Sequence, residues 1–343
     1  MCTNPLVRFA LLGSSDFIVK SLKDFELTPS VLHKYTFTPI PCGNCCECRA
    51  RRKEADAFRC LKEVENYEKN IMVTLTYNDD HLPLSDTSFV DAQTGVVTRY
   101  PTLKKSDLQN FNKRLRKYIT PLGKTPEEDK IKLFSCGEYG EIGNEEGIHR
   151  PHYHSIIMNF DPGDLKFWKW SVCEWNPSIR NKLYRSAILD KLWTDDKGDP
   201  IGYVEVNEVN YETCAYVAGY IEKKLNGTLG KEEYDSKGII PPFTSRSQNL
   251  GKSFFDKNKD KFFNDQKFWV CSQKGTKEAF PGRYFDKLMK KEDPDRFEEL
   301  QQKRMERSKE ILDNILRETS LSESEYREQR HFLDRKRFEK YKR

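Results

Sequence analysis

Hydrophobic and polar positions along the chain follow two periods, that of strands and that of helices. "IMVTLTY", which begins at residue 71, is a β-branched and aromatic run that ends in Asn-Asp-Asp, so it predicts a strand. "KIKLFSCGEYG" (130–140) and "YVEVNEV" (203–209) predict two further strands. "PHYHSIIM" (151–158) predicts another strand, which follows a glycine-rich turn.

Three segments predict helices. The second half of the stretch 41–70 has a helical pattern. In "SDLQNFNKRLRKYI" apolar residues recur at steps of three and four, with basic residues on the opposite face. "ETCAYVAGYIEKKLNG" places Tyr216 and Tyr220 four residues apart and Gly227 just past its end, which predicts a third helix.

These elements predict an α+β fold in which helices flank a central antiparallel β-sheet. Residues 1–40 form an N-terminal segment to which no chemistry is assigned, and residues 41–282 form the main domain, which begins with a cysteine-rich segment. Residues 283–343 are rich in both acidic and basic residues and predict a charged, helical C-terminal extension. Residues 78–102 hold many turn formers and are predicted to be a loop.

Composition indicates the cellular compartment in which the protein is expected to act. The chain has 343 residues, enough for a sizeable core, and 33% of them are charged. No run approaches the roughly 20 apolar residues of a membrane span, and the first residues lack a basic leader followed by a cleavage site. The ten cysteines are mostly crowded at 42–48 or scattered, which suits metal binding and buried thiols better than disulfides. We therefore expect a protein of the reducing cytoplasm with no membrane partner.

A net charge of +5 conceals two basic clusters. Their members are Arg49, Arg51, Arg52, Lys113, Arg114, Arg116 and Lys117. Clusters of this kind bind phosphate backbones in some proteins and are solvated helix faces in others. The first alternative makes these residues the candidate DNA-binding set.

Histidines are concentrated at one place, because three of the six lie within residues 149–154. In a strand, His152 and His154 point to the same side, which suits a metal ion; a pair hydrogen-bonded to backbone carbonyls would give the same pattern. If a hairpin joins the two strands, Glu138 lies across from the histidines as a third ligand, and His149 is its rival. A carboxylate makes the site suitable for Mg²⁺ or Mn²⁺, whereas three histidines favour zinc.

Cysteines offer a second metal site. Cys42, Cys45 and Cys48 have the spacing of a zinc knuckle, but a structural zinc normally has four ligands. Cys46 is poorly placed beside Cys45, which leaves Cys60 or a distant residue as the fourth ligand. The alternative is a cysteine-rich turn that begins the basic helix. A bound zinc would hold the neighbouring arginines beside DNA.

Two tyrosines are the last candidates for chemistry. Tyr216 and Tyr220 share one face of their predicted helix, where such residues most often pack on a sheet. Lys223 and Lys224 follow in the next turn, and Lys223 shares a helical stripe with Tyr220. A phenol is a poor nucleophile at neutral pH unless a cation or base assists its deprotonation. Lys223 is placed to assist Tyr220.

These motifs resemble those of the HUH endonucleases that initiate rolling-circle replication, and especially the replication initiators of microviruses of the gokushovirus branch. "HRPHYHSII" is similar to the family's histidine motif, "IMVTLTY" to its first motif, "CGEYG" to its partner strand and "YVAGYIEKK" to its double-tyrosine helix. "PCGNCCEC" and "LQNFNKRLRKY" also resemble this branch. The resemblance runs in the family's order from about residue 41 to about residue 300. No P-loop or dinucleotide motif is present in the sequence.

The resemblance implies an enzyme that nicks circular phage DNA at its origin and rejoins the ends. His152, His154 and Glu138 would bind Mg²⁺ or Mn²⁺, within a nicking and joining domain that spans residues 41–282. The partners would be single-stranded origin DNA and the helicase and DNA polymerase of the bacterial host, in whose cytoplasm the enzyme acts. Two alternatives stay open: a related transposase or relaxase, and a non-catalytic zinc-containing protein that stacks nucleic acid on its tryptophans.

The resemblance also assigns the tyrosines. Tyr216 and Tyr220 would be the nucleophiles, and attack on the scissile phosphate would give a 5′-phosphotyrosine and a free 3′-OH. Many family members carry a lysine where this chain has Gly219, three residues after Tyr216. Tyr220, with Lys223 three residues on, is therefore expected to make the first cleavage.

Overall fold

The structure is a computed structural model. It describes residues 2, 5–14, 16–21, 33–90, 93–120, 130–140, 150–173, 176–223, 230–264 and 267–340. The chain forms two compact units, of which one is Lys53–Leu288 and the other combines Met1–Arg52 with Met289–Arg343. Among the described helices, none has the length and apolarity that crossing a membrane requires. The predicted domain boundaries after residues 40 and 282 stay a prediction.

Strands and helices both occur throughout the described residues. The strands are β1 (Leu6–Leu11), β2 (Phe17–Ser21), β3 (Tyr35–Ile40), β4 (Asn70–Tyr77), β5 (Leu84–Val90), β6 (Val97–Pro101), β7 (Lys132–Tyr139), β8 (Pro151–Met158), β9 (Lys166–Cys173), β10 (Asn176–Arg185), β11 (Gly202–Glu208), β12 (Phe243–Arg246), β13 (Phe268–Ser272) and β14 (Gly275–Ala279). The helices are α1 (Cys46–Val64), α2 (Lys105–Ile119), α3 (Ala187–Asp190), α4 (Tyr211–Lys223), α5 (Lys252–Lys257), α6 (Lys259–Asn264), α7 (Arg283–Glu292), α8 (Pro294–Glu318) and α9 (Glu323–Lys340), and Lys231–Asp235 forms a π-helical turn.

A seven-stranded sheet is the framework of the Lys53–Leu288 unit. Its order is β12-β7-β8-β4-β11-β10-β9, and every neighbouring pair is antiparallel. The predicted α+β fold with a central antiparallel sheet and flanking helices is confirmed. The four strands predicted from the sequence are β4, β7, β8 and β11, which are consecutive in the sheet.

One face of the sheet holds the larger core. Tyr153 of β8 and Val204 of β11 point to this face, where both are completely buried. Helix α2 covers it with its predicted apolar side, from which Leu108, Phe111 and Leu115 are buried. Burying one such side chain stabilises the fold by about 1.5–3 kcal/mol. The predicted amphipathic helix is therefore confirmed, with its apolar side directed at the sheet.

The opposite face is covered by helices α1 and α4. Val217 and Cys214 of α4 are completely buried, and α4 contacts β7, β8 and β12. Asp56 of α1 forms an ion pair with Arg246 of β12. Phe58 of α1 lies among other aromatic rings, those of Phe254, Phe268 and Phe285.

A β-hairpin occupies part of the segment that was predicted to be a loop. Strands β5 and β6 pair antiparallel within residues 78–102, so the loop prediction is wrong for these residues. Their sequences, Thr-Ser-Phe-Val and Val-Thr-Arg-Tyr, are short and carry β-branched and aromatic residues. Phe89 stacks on Tyr100 with ring centroids 4.4 Å apart, and contacts of this kind stabilise a strand pair. The many turn-forming residues around the two strands favoured the loop prediction.

The second unit contains a three-stranded antiparallel sheet of order β2-β1-β3. Leu6 pairs with Ile40, so the start of β1 lies beside the end of β3. The charged helices α8 and α9 belong to this unit. Helix α8 begins with the expected signals, since the Asp293 side chain accepts a hydrogen bond from the Arg296 N–H (3.1 Å) and Pro294 occupies the first turn.

Candidate functional site

The hairpin of β7 and β8 brings three predicted metal ligands together. Glu138 pairs directly with His152, and Cys136 pairs with His154, so the carboxylate and both imidazoles project from the same face of the sheet. The ligand atoms of Glu138, His152 and His154 lie within 4.8 Å of one another. His149, the rival third ligand, lies outside the described residues.

Hydrogen bonds orient the two imidazoles. Nε2 of His152 lies 2.7 Å and Nε2 of His154 lies 3.0 Å from Oε1 of Glu138. The Nδ1 of His152 donates to the carbonyl of Arg150 (3.1 Å), and the Nδ1 of His154 lies 2.9 Å from Oγ1 of Thr74. A partner at Nδ1 fixes each ring with its Nε2 directed at Glu138, which is the side on which a metal ion would bind.

Burial and charge both act on the carboxylate of Glu138. Its burial would raise its pKa, but hydrogen bonds from His152 and His154 outweigh that effect and hold the pKa below its ordinary value. Glu138 and His154 are each 5% exposed, so an ionised carboxylate here needs a cation close by. One carboxylate and two imidazoles fit a divalent ion such as Mg²⁺ or Mn²⁺ that keeps positions open for phosphate oxygens.

Helix α4 places both tyrosines over this site. The hydroxyl of Tyr216 donates to Oε1 of Glu138 (3.4 Å), and its ring meets that of His154 edge-on at 4.9 Å. The ring of Tyr220 is stacked on His154, with centroids 5.8 Å apart. Burial and the negative charge of Glu138 raise the pKa of both phenols. Tyr216 is 47% exposed and Tyr220 only 3%, so Tyr216 is the more accessible to a DNA strand.

A lysine from another helix lies beside Gly219 of the helix that carries the tyrosines. The Lys223 side chain, on which the order of the tyrosines was predicted, lies outside the described residues. Gly219 instead faces Lys53 of α1: a Cβ built on Gly219 would be 3.3 Å from Lys53 Cε and 3.5 Å from its Nζ. The ammonium group of Lys53 therefore lies close to position 219, which is one helical turn after Tyr216. Sequence reasoning missed Lys53, because its contact with Gly219 depends on how α1 packs on α4.

The three arginines of the first basic cluster differ in their exposure to solvent. Arg51 and Arg52 are exposed, as a contact with DNA requires. Arg49 is only 7% exposed, so its prediction as a surface DNA-binding residue is corrected. It lies on the same helix as the two exposed arginines, but the helical turn directs it inward.

The second basic cluster lies on α2, which covers the sheet face opposite the histidines. Lys113, Arg116 and Lys117 are exposed there. Arg114 is half-buried and donates to the carbonyls of Thr194 (2.8 Å) and Asp195 (2.7 Å), so it holds a loop in place. Tyr153 and the histidines point to opposite sides of β8, which separates this cluster from Glu138 and the histidines.

An aromatic and basic surface lies on the histidine face. The sequence suggested stacking on tryptophans but did not predict this surface or Tyr203 within it. Tyr203 pairs with Thr76, which pairs with His152, so the three side chains form a row across β11, β4 and β8. Tyr203 is 59% exposed and Trp168 is 41% exposed. The guanidinium of Arg185 lies 4.0 Å from the Trp168 ring and 5.8 Å from the Tyr203 ring.

The fourth member of the cysteine cluster is the distant residue Cys2, one of the two predicted alternatives, and not Cys60. Cys42, Cys45 and Cys48 are grouped with Cys2, and the four sulfur atoms lie within 4.8 Å of one another. The alternative that named Cys60 is wrong, and the alternative of a distant residue is the one that the structure shows. Cys60 follows Cys48 by twelve residues on α1, roughly 18 Å along the helix axis, and it is buried in contact with Cys214.

The chain is also similar in sequence to known proteins. Residues 70–225 match the family model of the replication-associated protein ORF2/gene 2 protein. The chain is 27% identical over 284 residues to replication-associated protein VP4 of Bdellovibrio phage phiMH2K, covering 83% of this chain and 78% of that protein. It is 27% identical over 259 residues to replication-associated protein ORF2 of Spiroplasma virus 4, covering 75% and 70%. No solved structure matches the chain.

A third relative, replication-associated protein ORF4 of Chlamydia phage 1, is 29% identical over 275 residues, which cover 80% of this chain and 59% of that protein. The chain is similar to phage replication-associated proteins. This similarity confirms the predicted resemblance to the replication initiators of microviruses. The matched residues 70–225 begin with β4 and end just after α4, so they contain the ligand trio and both tyrosines.

Proposed function

We propose that the protein nicks circular phage DNA at the replication origin and rejoins its ends through a tyrosine nucleophile. The observation that carries this proposal is the placement of Tyr216 and Tyr220 over Glu138, His152 and His154. The kinship with phage replication-associated proteins supports the biological role, and the geometry supports the chemistry.

The trio would hold a divalent cation. When bound, Mg²⁺ or Mn²⁺ would polarise the scissile phosphate and neutralise charge on its oxygens. The face of the sheet supplies the trio, and α4 supplies the attacking group, so the phosphate would lie between them. The buried surroundings of Glu138 and His154 strengthen every charge interaction at this point.

Tyr216, and not Tyr220 as the sequence predicted, would make the first cleavage. Its Oη attacks the phosphorus, a bond forms between them, and the bond from phosphorus to the 3′ oxygen breaks. The phenolic proton leaves the tyrosine, and the 3′ oxygen ends as a hydroxyl, while the 5′ end stays joined to the protein as a phosphotyrosine. Tyr216 is preferred to Tyr220 because its ring is far more exposed, and Lys53 beside Gly219 supplies a positive charge one turn away.

Rejoining reverses the same step. The phosphotyrosine keeps the energy of the original phosphodiester, so a free 3′-OH can attack it, restore the DNA bond and release the tyrosine without ATP. Tyr220 would serve the second cleavage that frees a closed circle. Two tyrosines four residues apart lie about one helical turn from each other, which keeps both near one phosphate site.

The aromatic and basic surface would guide the single strand. Tyr203 and Trp168 offer exposed rings for base stacking, and Arg185 and Lys169 lie over the Trp168 ring at 4.0 and 3.8 Å, where they can also meet phosphates. The row from Tyr203 to His152 leads from this surface to the ligand trio. A bound strand would therefore lie across β9, β10, β11 and β4 before it reaches the tyrosines.

The enzyme would act in the cytoplasm of a bacterial host, where a helicase and a DNA polymerase would extend the 3′-OH. A related transposase or relaxase would use the same chemistry, and only the DNA sequence that is cut distinguishes them. The test is incubation with single-stranded fragments of its own replicon and Mg²⁺ or Mn²⁺. Cleavage that leaves protein on the 5′ end supports the proposal; binding without cleavage under these conditions would leave the non-catalytic alternative.

A further inference from the structure

Four thiols from distant parts of the sequence converge in the unit that contains residues 1–52. The sulfur atoms of Cys2 and Cys45 are 3.8 Å apart, and those of Cys42 and Cys48 are 4.0 Å apart. A tetrahedral zinc with Zn–S bonds of about 2.3 Å separates its sulfur ligands by roughly 3.8 Å, whereas a disulfide bond measures about 2.05 Å. We infer that Cys2, Cys42, Cys45 and Cys48 form a structural zinc site.

The backbone around the cluster is arranged for metal-bound thiolates. The N–H of Cys42 donates to Sγ of Cys2 (3.3 Å), and the N–H of Cys45 donates to Sγ of Cys42 (3.3 Å). A second N–H, from Asn44, reaches the same Cys42 sulfur at 3.5 Å. Gly43 has φ +78°, a conformation that glycine adopts without strain and that turns the chain back at this point. N–H groups directed at ligand sulfurs orient them and stabilise their negative charge.

Strand register explains why Cys2 joins residues forty positions later. Leu6 of β1 pairs with Ile40 of β3, so the residues that precede β1 and those that follow β3 leave the sheet at the same end. Cys45 and Cys48 then lie at the start of α1, where the N–H of Arg49 donates to the carbonyl of Cys45 (3.0 Å). The site therefore joins the three-stranded sheet to the first turn of a helix.

This site differs from the Glu138 site in ligand chemistry. Four thiolates are soft ligands that select zinc, and with four protein ligands the ion has no open position for catalysis. A closed tetrahedral site contributes folding energy to a small unit. Such energy matters to this unit, because among the described side chains of its three-stranded sheet only Val7 and Phe9 are buried. The guanidinium of Arg327 on α9 also donates to the carbonyl of Cys2 (3.4 Å), so the site can hold the C-terminal helix as well.

The experiment measures metal content in the full chain, purified from cells without chelator. Elemental analysis should find one zinc per chain in the wild type and a loss of most of that zinc in Cys2→Ser. Cys46→Ser is the matched control, since Cys46 neighbours Cys45 but lies outside the group of four. That variant should keep its zinc. The double variant His152→Ala/His154→Ala should keep it too, which makes the result independent of the proposed nicking chemistry.

A spectroscopic measurement distinguishes the loss of a metal ligand in Cys2→Ser from misfolding of that variant. After replacement of zinc by Co²⁺, the wild type and Cys46→Ser should show the intense visible absorption of tetrahedral cobalt thiolate. Cys2→His, which retains a ligand atom, should keep one bound metal with a shifted spectrum. Wild-type protein without zinc and without this absorption would overturn the inference. So would a full complement of zinc in Cys2→Ser, or alkylation and mass spectrometry that find the four cysteines in disulfides.

Discussion

At the scale of single residues, the alternation along β8 determines what the protein can bind. Tyr153 is completely buried, and its hydroxyl donates to the carbonyl of Lys104 (2.9 Å) and accepts from its N–H (2.7 Å). That anchor directs His152 and His154 to the opposite face, where Glu138 meets them. A bulky core residue between two histidines therefore helps to position the site, although its own side chain points to the other face of the sheet.

The ligand trio gives the first prediction. His152→Ala/His154→Ala should lower divalent-dependent cleavage by about 100-fold or more, since even changes in the outer partners of metal ligands cost about 10- to 100-fold. Retention of single-stranded DNA should change little, because contacts with phosphates elsewhere supply most of the affinity. Cleavage is read on a denaturing gel and retention by filter binding. Normal cleavage by the double variant would show that cleavage does not require a metal ion at this site.

Lys53 gives the second prediction. Lys53→Ala should slow the first cleavage by about 10- to 100-fold, because it removes the positive charge that lies one turn after Tyr216. Lys53→Arg, which keeps the charge, is the control and should retain most of the rate. The measurement is single-turnover cleavage as a function of pH. If both variants cleave at the wild-type rate, Lys53 merely packs against Gly219.

At the scale of elements, the sheet brings a stacking surface and the ligand trio onto one face. The double variant Tyr203→Ala/Trp168→Ala should weaken single-stranded DNA binding, since each base stacked on an aromatic ring is worth about 1–3 kcal/mol, or roughly 5- to 150-fold in affinity. Phe167→Ala is the matched control. Phe167 is 54% exposed but pairs with Tyr184, on the other face of the sheet. Equal weakening by the control would show that the surface has no special role.

Helix α4 and strand β8 also show which elements a sequence can predict. Strong local signals predicted both of them, and the hairpin of β7 and β8 followed from a short glycine-rich connection, so Glu138 could be placed beside the histidines. The strands β5 and β6 were missed because each is short and surrounded by turn formers. The sequence suggested stacking on tryptophans, but it could not place Trp168 and Tyr203 on one face, because that depends on register across several strands, including a bulge between β9 and β10.

At the scale of the whole molecule, contacts between residues far apart in sequence depend on tertiary structure, which no local sequence pattern predicts. Cys2 reaches the cysteine cluster only through the pairing of β1 with β3. Cys60 is much nearer in sequence, but it lies twelve residues after Cys48 on the same helix and is therefore too far from the cluster. Lys53 reaches Gly219 only through the packing of α1 on α4. Arg49 was expected on the surface with its neighbours, and its burial depends on tertiary packing too.

The central claim is that a tyrosine of α4 becomes joined to DNA, and covalent mapping tests it most directly. The full chain is incubated with single-stranded fragments of its replicon and Mn²⁺, then digested with nuclease and trypsin. The tryptic peptide 198–223 contains Tyr216 and Tyr220, and fragment ions separate them. The account predicts a 5′-nucleotide on Tyr216 in the first turnover, with loss of first nicking in Tyr216→Phe and loss of circle release in Tyr220→Phe. A nucleotide on Tyr220 alone would reverse the order, and cleavage with no nucleotide on this peptide would contradict the claim.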